Sequence, residues 1–239
     1  MGKRFLIVNA DDFGMTDGIN AGVIESHKRG IVTSASLMVK QPKARKAAAL
    51  AATEERLGLG LHIDLAEWEP VDGVWQQIYA RADLDDPAQV AKEIDQQLEL
   101  FIDLVGHKPD HLDSHQHVHL EGNARNESIR VARSLGVPLR GLDSHVTFCG
   151  QFYGQQNRSE PYPDGITLTN LLRLVDAMAG GSTELMCHPG FAHDVRSVYA
   201  FEREAEIATL CQPELPAALA RRGVVLCSFR ELEPEVTRA

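Results

Sequence analysis

Two adjacent carboxylates, Asp11 and Asp12, follow closely on an apolar run, Phe5-Leu6-Ile7-Val8. Side by side, two such anions repel unless a cation or a proton separates them. Farther along, His62 follows Gly60-Leu61, histidines recur at every second position in Asp113-Ser114-His115-Gln116-His117-Val118-His119, and Cys187-His188-Pro189 adds another imidazole. Carboxylate and neutral imidazole together suit Zn²⁺, Mn²⁺, Fe²⁺ or Ni²⁺, and are a less usual set for Mg²⁺. A lone histidine would be read as a solvated loop residue. Three within five positions, beside other Asp and His, favour a metal site. In an extended segment His115, His117 and His119 share one face. A catalytic ion keeps positions open for water and substrate, so three protein ligands are expected; spacing alone leaves open which candidates supply them.

The elements that must position these groups alternate between strand and helix. Strands are expected over residues 4–9, 31–39, 57–65, 109–115, 137–141, 183–187 and 224–228, from their apolar or β-branched content and the Gly and Pro around them. Helices are expected over 17–29 with Asp17 as N-cap, 43–53, from Pro87 onward with Val90, Ile94, Leu98, Phe101, Ile102 and Val105 on one face, 121–135, 167–179, 201–211 and 213–222. The glycines of the third strand suggest a close approach by another group. Residues 66–86 and 145–163 carry no clear period and read as long irregular stretches, of the kind that is functional or mobile.

Seven strands alternating with helices imply an α/β fold with a parallel sheet, either a (β/α) barrel-like closure or an open doubly wound sheet. No GxGxxG or GxxxxGK follows a strand, which counts against a nucleotide-binding open sheet. In a barrel, reactive residues gather at the C-terminal strand ends, and Asp11, Asp12, His62, Asp113, His115 and His188 all fall there. Neighbouring strand residues point to opposite faces, so Asp11 and Asp12 need not share one task.

The 239 residues fit one domain, 1–239, and 44% apolar content is ordinary for a chain with a sizeable core. A net charge of −10 argues against a nucleic-acid partner, which needs a basic face. Residues 1–4 run straight into a short strand with no secretory h-region, and no apolar stretch nears membrane-spanning length. The four cysteines form no CxxC pair and read as reduced thiols of a cytoplasmic protein.

Asn9-Ala10-Asp11-Asp12-Phe13-Gly14, Gly60-Leu61-His62, His111 through His119 and Met186-Cys187-His188-Pro189, in this order and spacing, resemble the YdjC-like carbohydrate deacetylase family, which includes the diacetylchitobiose deacetylases. The likeness runs from about residue 4 to residue 230. It implies a barrel-like fold and one divalent ion, magnesium or zinc, held by Asp12, His62 and His115. It also implies Asp11 as catalytic base and His188 as general acid. Gln116 stands where many members have His, and the stretches 66–86 and 145–163 do not match closely.

The implied reaction is metal-assisted hydrolysis of an N-acetyl group, giving acetate and a free amine. A small amino sugar or a short N-acetylated oligosaccharide, chitobiose-like, is the expected substrate, with Trp68, Trp75, Phe152 and Tyr153 as stacking faces in the two long stretches. The other role for those stretches is a subunit interface, which would make a homodimer. Two further readings are another metal-dependent hydrolase, such as a two-metal phosphoesterase with more carboxylate ligands, and a non-catalytic sugar-binding relative.

Overall fold

The computed structural model describes residues 2–156, 159–195 and 197–232. Asn157 and Arg158, inside the stretch 145–163, lie outside the described residues. The chain runs β1 (Arg4–Phe13), α1 (Asp17–Arg29), β2 (Ser34–Leu37), α2 (Ala44–Ala51), β3 (Gly58–Ile63), β4 (Ala66–Val71), β5 (Val74–Ala80), α3 (Pro87–Val105), β6 (Leu112–Ser114), α4 (Gly122–Leu135), β7 (Val146–Cys149), β8 (Gln155–Gln156), β9 (Glu160–Pro161), α5 (Leu168–Ala177), β10 (Gly181–Cys187), α6 (Ala200–Leu210), α7 (Leu215–Arg221) and β11 (Val224–Leu226).

Seven strands make one curled parallel sheet in the order β6-β3-β2-β1-β10-β7, with β11 also on β1. β10 lies along β1 from Arg4 to Ala10. The other edge of β1 is therefore divided, β11 pairing at Arg4–Leu6 and β2 at Asn9–Phe13. Leu6, Ile7, Val8 and Ala10 are fully buried, as a strand covered on both faces requires. One hydrophobic cluster joins Leu6, Val8 and Ala10 to Leu59, Leu61, Phe101, Leu185 and Val224, while Ile7 packs in a second with Val146, Cys227 and Phe229. The barrel-like parallel architecture matches the expectation.

Several local expectations do not. Residues 66–86 hold an antiparallel hairpin, β4 with β5, turning at Asp72-Gly73, where φ is +52° and +76°. Positive φ at both central residues is the geometry for which Asp-Gly is favoured. The stretch 145–163 contributes β7, which pairs in parallel with β10, and a short ladder of β8 on β9. The strand expected over 137–141 shrinks to one bridge, Leu139 opposite Leu112. Pro138 has no N–H to extend the pairing, and the chain turns off at Gly141, φ +69°.

The first helix is capped by Thr16, whose Oγ1 accepts from Ile19 N at 3.1 Å. Asp17 instead pairs with Lys43 and Lys46. On α3, Val90, Ile94 and Phe101 are buried as expected, while Ile102 is exposed. The four cysteines are free thiols. Among the described residues no helix is long and apolar enough to cross a membrane.

Candidate active site

The site begins as a defect in β1. Opposite β2, Ala10 pairs with Ala35 but Phe13 with Leu37, so β1 carries one extra residue there. Asp12 sits in the left-handed region, φ +64°. A bulge of this kind re-aims a side chain. Regular alternation would send Asp11 and Asp12 to opposite faces, but here both line one cleft of about 320 Å³. The cleft also receives His62 from β3, His115 from beyond β6 and His188 from beyond β10. All five residues expected at the site are thus brought together.

They fall into two groups. In the first, His115 Nδ1 lies 3.1 Å and His62 Nε2 3.5 Å from the same oxygen, Asp12 Oδ1. One donor atom from each of Asp12, His62 and His115 lies within 4.8 Å of the others, and all three residues are buried. Burial works to lower both imidazoles, yet the carboxylates around them hold His62 up at about 10 and His115 at about 9. Burial likewise works to raise Asp12, and Arg203 with the two histidines overrides it, holding the carboxyl well below its usual range. Two imidazole nitrogens and a carboxylate oxygen converging in a buried pocket demand a cation or protons between them. A divalent ion answers that demand by displacing those protons, so the residues present fit one.

In the second group, Arg140 NH1 and NH2 each donate to an oxygen of Asp11 at 2.7 Å. The same guanidinium reaches Asp113 Oδ2 and Glu184 Oε1, both at 2.7 Å. Asp11, His62 and Asp113 also cluster closely enough to ligate an ion, but Arg140 already supplies the cation between those two carboxylates. Asp113 then serves His62: its Oδ1 lies 2.7 Å from His62 Nδ1. Burial would raise Asp113, and Arg140 and His62 hold it far below its usual value.

His188 stands on the other side of Asp11, its Nε2 3.8 Å from Asp11 Oδ2. Burial pushes it down to about 4, leaving the ring neutral. Tyr153 and Tyr199 stack on each other, ring centres 4.4 Å apart, and both meet His188 edge-on at 5.5 and 5.3 Å. Glu206 fixes this corner, accepting from His188 N and Tyr199 OH, each at 2.5 Å. Burial raises its carboxyl to about 8.

The repeated histidines do not share a face. Residues His115–Leu120 form a 3₁₀ turn in which Gln116 and His117 are left-handed, φ +49° and +57°. The extended segment needed for period two is therefore absent there, and the three rings go to three places. His119 holds Ser114 Oγ at 2.6 Å and the Arg140 carbonyl at 2.9 Å, away from the ion group. His117 lines the cleft, edge-on to Phe148 at 5.5 Å. Of the aromatics, Trp68, Trp75 and Tyr153 line the cleft, whereas Phe152 is fully buried in the core. The close approach expected at the third strand is His111: a Cβ on Gly60 would lie 2.4 Å from its ring. That ring lies 3.0 Å from Ser36 Oγ, which donates to Asp113.

Sequence reasoning missed Arg140, Arg203, Glu184 and Glu206. Arg203, on α6, donates to Asp12 Oδ2 at 2.5 Å. A single Arg or Glu on a helix or strand carries no spacing signal. Only buried charge among apolar neighbours, as in Thr183-Glu184-Leu185, hinted at a partner.

Comparison with known proteins gives a consistent result. The profile of the YdjC-like protein family matches residues 5–221. A chitooligosaccharide deacetylase of Salmonella paratyphi B is 34% identical over 260 residues, covering 96% of this chain and 100% of that one. A carbohydrate deacetylase of Geobacillus stearothermophilus is 34% identical, covering 95% and 98%. The crystal structure of a candidate cellobiose-phosphate cleavage protein from Enterococcus faecalis V583 superposes with a TM-score of 0.74 at 24% identity, over 96% of this chain and 98% of that one, which shows the shared fold. With its strand-end Asp and His groups set on that fold, the chain belongs to the YdjC-like protein family.

Proposed function

We propose that this protein is a metal-dependent carbohydrate deacetylase. It hydrolyses the N-acetyl amide of a small amino sugar or short N-acetylated oligosaccharide to acetate and a free amine. The observation that carries this reading is the meeting of two groups in one cleft, Asp12, His62 and His115 within ligating distance of one another, and Asp11 beside His188. The deacetylase relatives, matched over nearly their whole length, support it. A cleft of about 320 Å³ suits one or two sugar rings, which Trp68, Trp75 and Tyr153 can stack against.

Asp12, His62 and His115 would hold a divalent ion, which would supply a Lewis acid for the acetyl carbonyl and acidify water. Asp11, clamped by Arg140, takes the proton of the attacking water. His188 Nε2 faces the same carboxylate and receives that proton from it. In the free protein His188 is held near 4, so the ring is neutral and able to accept. Negative charge on the tetrahedral adduct raises its proton affinity, and His188 then protonates the departing amine. Tyr153, Tyr199 and Glu206 keep the ring in position.

A two-metal phosphoesterase loses ground because the carboxylates a second ion would need, Asp11, Asp113 and Glu184, surround Arg140. The reading goes with a cytoplasmic setting, where small N-acetylated sugars and free thiols coexist. The outer side of the hairpin, where Val74 and Ile78 are exposed, is the face a homodimer would use. The test is acetate release from N-acetylated mono- and disaccharides by metal-loaded protein. Stoichiometric acetate and amine are expected, and phosphate release from sugar phosphates without acetate would refute the reading.

A further inference from the structure

We infer that Glu67 is the carboxylate that orients His115, so that the β4–β5 hairpin helps to set the ion affinity of the site. The inference rests on Asp12, His62 and His115 being the ligands. A histidine that binds a metal through one nitrogen almost always donates its other N–H to a carboxylate or carbonyl. His62 does so, with Nδ1 2.7 Å from Asp113 Oδ1. His115 turns Nδ1 toward Asp12, and its Nε2 is buried with no hydrogen-bond partner. A buried polar atom in that state calls for a partner. Glu67 Oε1 lies 3.8 Å from it.

That gap exceeds a hydrogen bond by about 1 Å, so Glu67 must advance by that much to make one. The hairpin is fastened beside that gap. Glu67 is the second residue of β4, and the next, Trp68, is joined to the residue after His115: Trp68 N donates to Gln116 Oε1 at 3.0 Å, and Gln116 Nε2 to Trp68 O at 2.8 Å. The hairpin and the ligand turn are thus tied at neighbouring positions on both chains. On the ligand side the tie falls where Gln116 and His117 hold left-handed backbone, uncommon for residues with a Cβ. Trp68 and Trp75 of the same hairpin face the cleft. A sugar seated against them would bear on the same hairpin that carries Glu67.

Zinc titration of metal-free protein against a chromophoric chelator tests this, with wild type, Glu67→Ala, Glu67→Gln and His115→Ala. Glu67→Ala should weaken zinc by about 10- to 100-fold while the metal-free protein melts as wild type does. Glu67→Gln, whose amide oxygen still accepts the bond, should recover most of the loss. Glu67→Ala within about twofold of wild type would overturn the inference, since such carboxylates are worth more than that; so would Glu67→Gln as weak as Glu67→Ala. If His115→Ala also binds zinc like wild type, the ligand assignment itself fails, which separates the two. In zinc-loaded wild type the imidazole nitrogen spectrum should show a proton on His115 Nε2. A bare Nε2 would overturn the inference even if the Glu67 variants did not fold.

Discussion

The floor and the roof of the cleft are built on different terms. The floor is the set of side chains that β1, β3, β6 and β10 bring around Arg140 and Asp12, with His115 just beyond β6. Asp11, Asp113, Glu184 and His62 are each at most 2% exposed, and every one is held by a charged hydrogen bond near 2.7 Å. The roof is the β4–β5 hairpin, with β5 mostly exposed and hydrogen-bonded through the Gln116 side chain to the turn that carries His115. Buried charges that satisfy one another lose several kcal/mol when one partner goes, so the floor tolerates little change. A half-exposed ribbon has few such debts. On the proposed function, the floor carries the hydrolytic chemistry, and the roof faces the sugar and reaches the ion group only through Glu67.

The sharpest way to break that division is at the floor. Asp12→Asn, His62→Ala and His115→Ala should each lose the ion and, with it, activity, read by elemental analysis of the purified protein beside circular dichroism. An ion retained in His115→Ala would move the ligand role elsewhere. Next in size, Asp11→Asn and His188→Ala should keep the ion and slow turnover by about 100- to 10,000-fold, as loss of a proton carrier does. A rate within about threefold of wild type, far below that range, would remove the residue from its role.

Arg140→Met sharpens the comparison through stability. It strands three buried carboxylates and should cost about 3–5 kcal/mol by urea denaturation, whereas Trp68→Ala on the roof should stay within about 0.5 kcal/mol. The smallest expected effect is on that same Trp68→Ala. Loss of one stacking face worth about 1 kcal/mol raises KM about fivefold with kcat nearly unchanged. A fall in kcat with KM unchanged would place Trp68 with the chemistry and blur floor into roof.

The floor was also the part most legible in sequence, because its Asp and His residues sit at or just beyond strand ends and strand ends follow from apolar runs. Asp11, Asp12, His62, His115 and His188 all fell in the cleft for that reason. What sequence could not supply was the bulge that turns Asp11 and Asp12 into one cavity. The period-two rule gave the wrong face here and again for His117 and His119, since both places depart from regular backbone. Arg140 was illegible because its three partners come from β1, β6 and β10, contacts that only the sheet order creates. The roof had a signal that went unused: Asp72-Gly73 between Ala66–Val71 and Val74–Ala80 is a hairpin turn sequence. Polar and acidic residues in β4 hid its strand character.

The most direct test is to follow oxygen. Metal-loaded protein turning over the methyl glycoside of an N-acetylated disaccharide, which has no exchangeable anomeric hydroxyl, in H₂¹⁸O should place a single ¹⁸O in the acetate and leave the sugar unlabelled, with its amine free. Label appearing in the sugar, from cleavage at a glycosidic carbon, or acetate released without label would contradict amide hydrolysis at this site.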